Sequence, residues 1–206
     1  MMQRITSDQF QVSTWAGGTT TQLMIDPPGA DFKERTFRYR LSSATFTGLE
    51  STFSDFSGYQ RIIFPLVGTL SVDHSSGEQH LYGRQLQPYE VEHFSGSWTT
   101  RSTNSADCVD FNLIVRNDLA GHLEIVSSEE TMALSHRDRL LFYSRDPYTL
   151  EFRCGETQEH ISAEAGELIC LDGDHRRFAV TISPSGAPVV VGIVTDPSQT
   201  EGDEER

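Results

Sequence analysis

Short apolar segments, each closed by a turn residue, constrain this chain more than any other feature. Runs at 37–46 (FRYRLSSATF), 61–72 (RIIFPLVGTLSV), 89–94, 109–116 (VDFNLIVR), 140–143, 148–152, 168–171, 178–182 and 189–194 are rich in β-branched or aromatic residues and bounded by Gly, Pro, Asp or Ser. Segments of this length and composition read as strands. No helical pattern of ten to fifteen residues recurs to connect parallel strands, so the pattern predicts an all-β barrel or sandwich with little helix. Helix is expected only at 129–139 (EETMALSHRDR), where acids open the segment and basic residues close it in agreement with the helix dipole.

The strongest strand pattern ends at Arg116-Asn117-Asp118, and a cut there divides the 206 residues into parts the size of small barrels. The expected organisation is a first barrel over 1–118, a second over 119–195 and an acidic tail over 196–206, where Pro, Ser, Gly and acids offer nothing to bury. A faint internal echo supports the division. RIIFPLVGTLSV followed by PYEVEHFSG in the first part resembles YTLEFRC followed by AGELICLDG in the second.

Charge removes several classes of partner. With 30 acidic against 16 basic residues and a net charge of −14, the chain lacks the basic groups that neutralise a phosphate backbone or an anionic membrane. No apolar run approaches the ~20 residues that span a bilayer, and the opening MMQRITSDQF lacks the apolar stretch of a secretory signal. A cytoplasmic protein is expected. Cys108, Cys154 and Cys170 form no C-x-x-C pair and read as reduced thiols. The seven histidines, at 74, 80, 93, 122, 136, 160 and 175, show neither H-x-H nor H-E-x-x-H spacing, so neither a metal nor another cofactor is expected. No G-x-S-x-G elbow or nucleophilic cysteine signature suggests covalent catalysis.

Two strands carry polar residues in an informative way. In 37–46, Phe37, Tyr39 and Leu41 share one face, and Arg38, Arg40, Ser42 and Ala44 the other. In 109–116, Val109, Phe111, Leu113 and Val115 oppose Asp110, Asn112, Ile114 and Arg116. Such polar faces are either wetted by solvent, as on half-exposed sheets, or turned into a polar pocket inside a small barrel. In the second case an acid, an amide and an arginine form a recognition set. Guanidinium is the preferred group for holding a carboxylate in two parallel hydrogen bonds, which makes Arg40 and Arg61 the candidate anchors. Near the start, Trp15-Ala16-Gly17-Gly18-Thr19 is either a plain turn or a loop whose amides approach a ligand.

The order of these motifs resembles the HutD/Ves family: Trp15, Gly17 to Thr20, Arg40-Leu41-Ser42-Ser43-Ala44, Phe53-Ser54-Asp55-Phe56-Ser57-Gly58-Tyr59-Gln60-Arg61, Gly68, Phe94-Ser95-Gly96 and Asp110-Phe111-Asn112-Leu113. The resemblance implies a cupin-like (RmlC-like) double β-barrel, a bicupin without the usual metal motif, linked to bacterial histidine utilisation. It implies binding of a pathway intermediate such as urocanate or N-formylglutamate, to modulate catabolism. By position, Trp15, Thr19, Arg40, Ser42, Arg61, Asp110 and Asn112 are its pocket residues. Many members have an Asn and a third Gly between the Trp and the Thr; this loop is about two residues shorter, and any contact made by that Asn does not transfer.

The leading expectation is therefore a protein that binds a small carboxylate metabolite without a metal, with no nucleic-acid or membrane partner and with a homodimer left open. Its rival is a metal-free isomerase, lyase or hydrolase acting on a similar acid, with Asp110 or His93 as general base. A third reading, a structural partner in an assembly, would require a large exposed apolar face.

Overall fold

The structure, a computed structural model, describes residues 2–134, 138–171 and 178–200. The chain forms two compact units: Phe10–Asn117, and Met1–Gln9 together with Asp118–Arg206. Among the described residues the only helical elements are the short 3-10 turns Ser7–Gln9 and Pro197–Thr200. All the strand pairings among the described residues are antiparallel. The expected all-β class is the class observed among the described residues.

In the Phe10–Asn117 unit a six-stranded sheet runs in the order Gln11–Trp15, Gly18–Asp26, Tyr39–Phe46, Val109–Arg116, Tyr59–Val67, Glu92–Ser95. A four-stranded sheet runs Glu50–Thr52, Thr99–Asn104, Leu70–Ser76, Gln79–Leu86. One apolar cluster joins the two: Ile63 and Phe94 from the first sheet pack with Leu70, Val72 and Leu86 from the second. Burying such side chains, at roughly 1.5–3 kcal/mol each, is what holds two sheets face to face. A second cluster of Phe37, Phe56, Tyr59 and Ile114 anchors the segments that follow Asp26 and Thr52.

The other unit repeats the plan with a five-stranded sheet (Met2–Ile5, Leu168–Leu171, Asp138–Tyr143, Val189–Thr195, Ala120–Val126) and a four-stranded one (Glu130–Leu134, Phe178–Pro184, Tyr148–Cys154, Thr157–Ala163). Phe142, Ile169 and Val191 from the first meet Leu150, Val180 and Ile182 from the second, all fully buried. Tyr148 is buried with them, and its hydroxyl donates to the carbonyl of Phe142 at 2.6 Å, as a buried phenol must.

Three expectations are corrected. The segment expected as helix at 129–139 forms the strands Glu130–Leu134 and Asp138–Tyr143, with 135–137 outside the described residues. Ladder pairing of Thr131 with Thr181 and of Leu141 with Cys170 and Gly192 outweighs a charge pattern that is only a weak helix signal. The run at 61–72 is two strands, broken at Gly68, whose φ of 69° and close approach to Ser105 and Cys108 suit only glycine. The strand Met2–Ile5 pairs with Leu168–Leu171, so residues 1–9 join the second unit and not the first. Of the expected acidic tail, 201–206 lie outside the described residues.

Candidate functional site

The register of the six-stranded sheet sets polar side chains in three rungs on one face. Ile114 stands between Arg40 and Arg61 on its two neighbours; Asn112 stands between Ser42 and Ile63, with Gln22 beyond Ser42; Asp110 stands between Ala44 and Pro65, with Thr20 beyond Ala44. Residues two apart on a strand share a face, so the rungs stack into one surface. The opposite face, with Tyr39, Leu41, Phe111, Leu113 and Val115, is buried and apolar. The polar face is not solvent-washed either: Arg40 is 5% exposed, Arg61 7%, Asp110 6% and Asn112 7%.

These groups line a cavity of about 730 Å³, within the size range of small-molecule sites. Its other walls are the edge strand Gln11–Trp15, the segment around Phe32 and the segment 51–56. Of the seven residues expected from sequence, Trp15, Arg40, Ser42, Arg61, Asp110 and Asn112 lie around this one space. Thr19 does not: the alternation of the strand turns Thr20 toward the cavity instead, where it accepts a hydrogen bond from Trp15 Nε1 at 3.1 Å. The glycine loop is the tight turn of the Gln11–Trp15/Gly18–Asp26 hairpin. A Cβ at Gly17 would strike the Trp15 ring, and one at Gly18 would lie 2.0 Å from the Thr45 carbonyl oxygen.

The two arginines are held differently. Arg40 donates from Nε to Gln22 Oε1 at 2.7 Å and from Nη1 to Ser42 Oγ at 3.0 Å, and its guanidinium lies 4.1 Å from the centre of the Phe32 ring. Gln22 is itself oriented by donating to Gln11 Oε1. Arg61 sits among aromatic rings, 4.5 Å from Phe53, 5.3 Å from Phe94 and 5.8 Å from Phe56, and its buried Nε has no hydrogen-bond partner. Stacking on ring faces favours a cation but does not replace hydrogen bonds. Among the described residues no acid lies within 4.0 Å of either guanidinium. Loss of hydration lowers the pKa of both to about 10; Asp110 opposes that shift in each.

Asp110 shows the converse effect. Burial raises its carboxyl to about 7, against the lowering effect of a hydrogen bond from the Ala44 amide at 2.8 Å and of the nearby Arg61 and Arg40 charges. Asn112 Oδ1 is a second buried atom without a partner. The inner wall of the cavity thus holds two guanidiniums without an acid in ion-pairing distance, one carboxyl raised by burial and an idle amide oxygen, while Asp31 and Lys33 lie on another wall. Its local charge is positive in a chain of strongly negative net charge.

Sequence reasoning missed Gln22, Phe32, Phe53 and Phe56. Phe53 and Phe56 lie just before Arg61 in the chain, where no spacing marks them as its platform, and Phe32 lies in a segment with no pattern at all. His93 is exposed and does not line the cavity, which removes it as the rival reading's base. The segment carrying Phe53 and Phe56 is fixed through Gly96, which accepts from the Phe56 amide and donates to the Tyr59 carbonyl. A Cβ at Gly96 would lie 2.4 Å from the Phe56 carbonyl oxygen. Gly96→Ala is therefore expected to displace the rings around Arg61 and to destabilise the protein by about 1–3 kcal/mol, read as a lower urea midpoint.

A metal, which one would look for in a cupin fold, does not suit these residues. Two guanidiniums repel a cation, the two carboxyls on the cavity wall, Asp31 and Asp110, are too few ligands, and among the described residues no group of three His, Cys, Asp or Glu side chains gathers. Among the described residues no helix is long and apolar enough to cross a membrane.

Fold and cavity together define a cupin-like β protein whose cationic pocket is floored by buried polar groups. The sequence model of the HutD family matches residues 7–189, and the chain belongs to that family, a family linked to histidine utilisation. Solved structures agree on the fold. The chain is similar to PA5104, a conserved protein of unknown function from Pseudomonas aeruginosa, with 23% identity, a TM-score of 0.76, and 95% of this chain and 98% of that one covered. It is similar to HutD from Pseudomonas fluorescens, with 20% identity, a TM-score of 0.71 and the same coverage. An oxalate decarboxylase mutant from Bacillus subtilis shares 6% identity at a TM-score of 0.63, over 94% of this chain and 76% of that one. No curated protein matches the sequence.

Proposed function

We propose that this protein binds a small carboxylate metabolite of the urocanate or N-formylglutamate type in the cavity of its Phe10–Asn117 unit, without a metal, and so modulates histidine catabolism in the cytoplasm. The observation that carries the reading is the pair of buried guanidiniums without an acidic partner, aligned two strands apart on one cavity wall. A buried charge without its counter-ion is costly, and proteins retain one where a ligand supplies the opposite charge. Arg61 takes the carboxylate; Arg40, already oriented by Gln22 and Ser42, completes the clamp. Asn112 reads a polar group, and Phe32, Phe53 and Trp15 enclose the ligand's apolar part.

Isothermal titration with urocanate, N-formylglutamate, glutamate and histidine tests this reading. One saturable site for at least one of the first two is expected. Absence of heat from all four, with folded protein, rejects it.

One observation favours a second reading. A buried carboxyl poised near 7 suits general acid–base work, so Asp110 could move a proton on the same ligand. Turnover of either compound by the purified protein, lost in Asp110→Asn, would select that reading.

A further inference from the structure

Asp110 shares its cavity with both arginines, yet neither guanidinium comes within 4.0 Å of its carboxyl. Among the described residues its carboxyl accepts one hydrogen bond, from the Ala44 amide. Its surroundings are drawn from four elements. They are Arg40 on Tyr39–Phe46, Arg61 on Tyr59–Val67, the Cys108 thiol just before its own strand, and Asp31 and Lys33 on another wall of the cavity. Burial pushes the Cys108 thiol up to about 12, so it stays neutral and adds no charge. The Ala44 hydrogen bond and the two arginines favour the ionised acid, and of these the arginines are the groups that an incoming anion engages.

We propose that Asp110 meets the bound anion as a neutral carboxylic acid, so that each carboxylate enters the cavity together with one proton. The inference rests on the anion-binding reading above and adds to it the protonation state in which the site works. The anion occupies Arg40 and Arg61 and cancels the field that held Asp110 ionised. It also brings a second carboxylate into one small space, where two like charges are unfavourable. A proton from solvent on Asp110 removes that repulsion and turns the acid into a hydrogen-bond donor, with Oδ1 still accepting from Ala44. Asp110 thereby selects ligands that offer an acceptor oxygen beside the carboxylate.

With the free-state carboxyl near 7, the site is already protonated at pH 6 and mostly ionised at pH 8. Calorimetric titration with N-formylglutamate, and with formate as the smallest carboxylate, in HEPES and in Tris at pH 8 and in MES and in Bis-Tris at pH 6 separates proton uptake from intrinsic heat, because the two buffers of each pair release protons with different enthalpies. Neither probe titrates between pH 6 and 8. The expected result is an uptake close to one proton per anion at pH 8 and little at pH 6, with affinity falling up to tenfold per pH unit above about 8. In Asp110→Asn the uptake is lost and affinity is flat across this range; if that variant does not fold, the wild-type buffer comparison decides alone. Binding at pH 8 with heats independent of buffer overturns the inference while leaving the anion reading intact. No heat from either probe at either pH overturns both.

Discussion

Arg61→Met is expected to make the free protein more stable while it destroys anion binding. Most arginines that matter for a fold sit in ion pairs, and their removal costs stability. Arg61 is 7% exposed, has no acid within ion-pairing distance among the described residues and leaves Nε without a partner. Burial carries its guanidinium from 12.5 to about 10, which corresponds to about 3 kcal/mol of unfavourable desolvation in the free state. Methionine keeps much of the volume and the contact with Phe53 and Phe94 but removes the charge. Urea unfolding should show a gain approaching that figure, reduced by the lost cation–π contact. Carboxylate binding should weaken by about 2–5 kcal/mol, the cost of truncating one partner of a desolvated pair. A loss of stability together with unchanged binding would mean that Arg61 serves the fold and not the ligand.

The second large effect concerns Asp110 and pH. Folding raises its carboxyl from 3.8 to about 7, so the folded state holds the proton more tightly than the unfolded chain does. Below pH 3.8 the group is protonated in both states and contributes its full relative stability. As pH rises toward 7 that contribution is lost, and above 7 the folded state carries a buried carboxylate at a cost of about 4 kcal/mol. Asp110→Asn cannot ionise and keeps an oxygen for the Ala44 amide. The variant should match the wild type near pH 3.5 and exceed it by up to about 4 kcal/mol at pH 8, with the difference opening between pH 4 and 7. Unfolding free energies measured by urea at both ends of this range give the comparison, and a constant difference across it would show that Asp110 is an ordinary ionised acid.

The strand class was legible because apolar alternation and turn residues are local. What could not be read were strands whose residues are polar on both faces, such as Gln79–Leu86, Thr99–Asn104 and Thr157–Ala163, which exist because a neighbouring strand offers hydrogen bonds. The same limit explains the error at 129–139: the charge order was visible, and the partner at Phe178–Pro184 was not. For the site, period-two counting brought Arg40, Ser42, Asp110 and Asn112 to one face, and register then placed Arg61 beside them. Thr19 lies off the cavity for the same reason that Thr20 lines it, a one-residue shift that moves a side chain across the sheet. Phe32 and Gln22 act by folding back onto Arg40, a relation that no spacing along the chain records. The charge of the whole chain was a poor guide to the cavity, since a handful of buried groups decides its local sign.

The most direct test of the central claim is a crystal structure of the protein with N-formylglutamate or urocanate bound. The account predicts density for the ligand inside the Phe10–Asn117 unit, its carboxylate within 2.7–3.1 Å of nitrogen atoms of both Arg61 and Arg40. Ligand density elsewhere on the protein, with Arg40 and Arg61 unchanged and untouched, would contradict it.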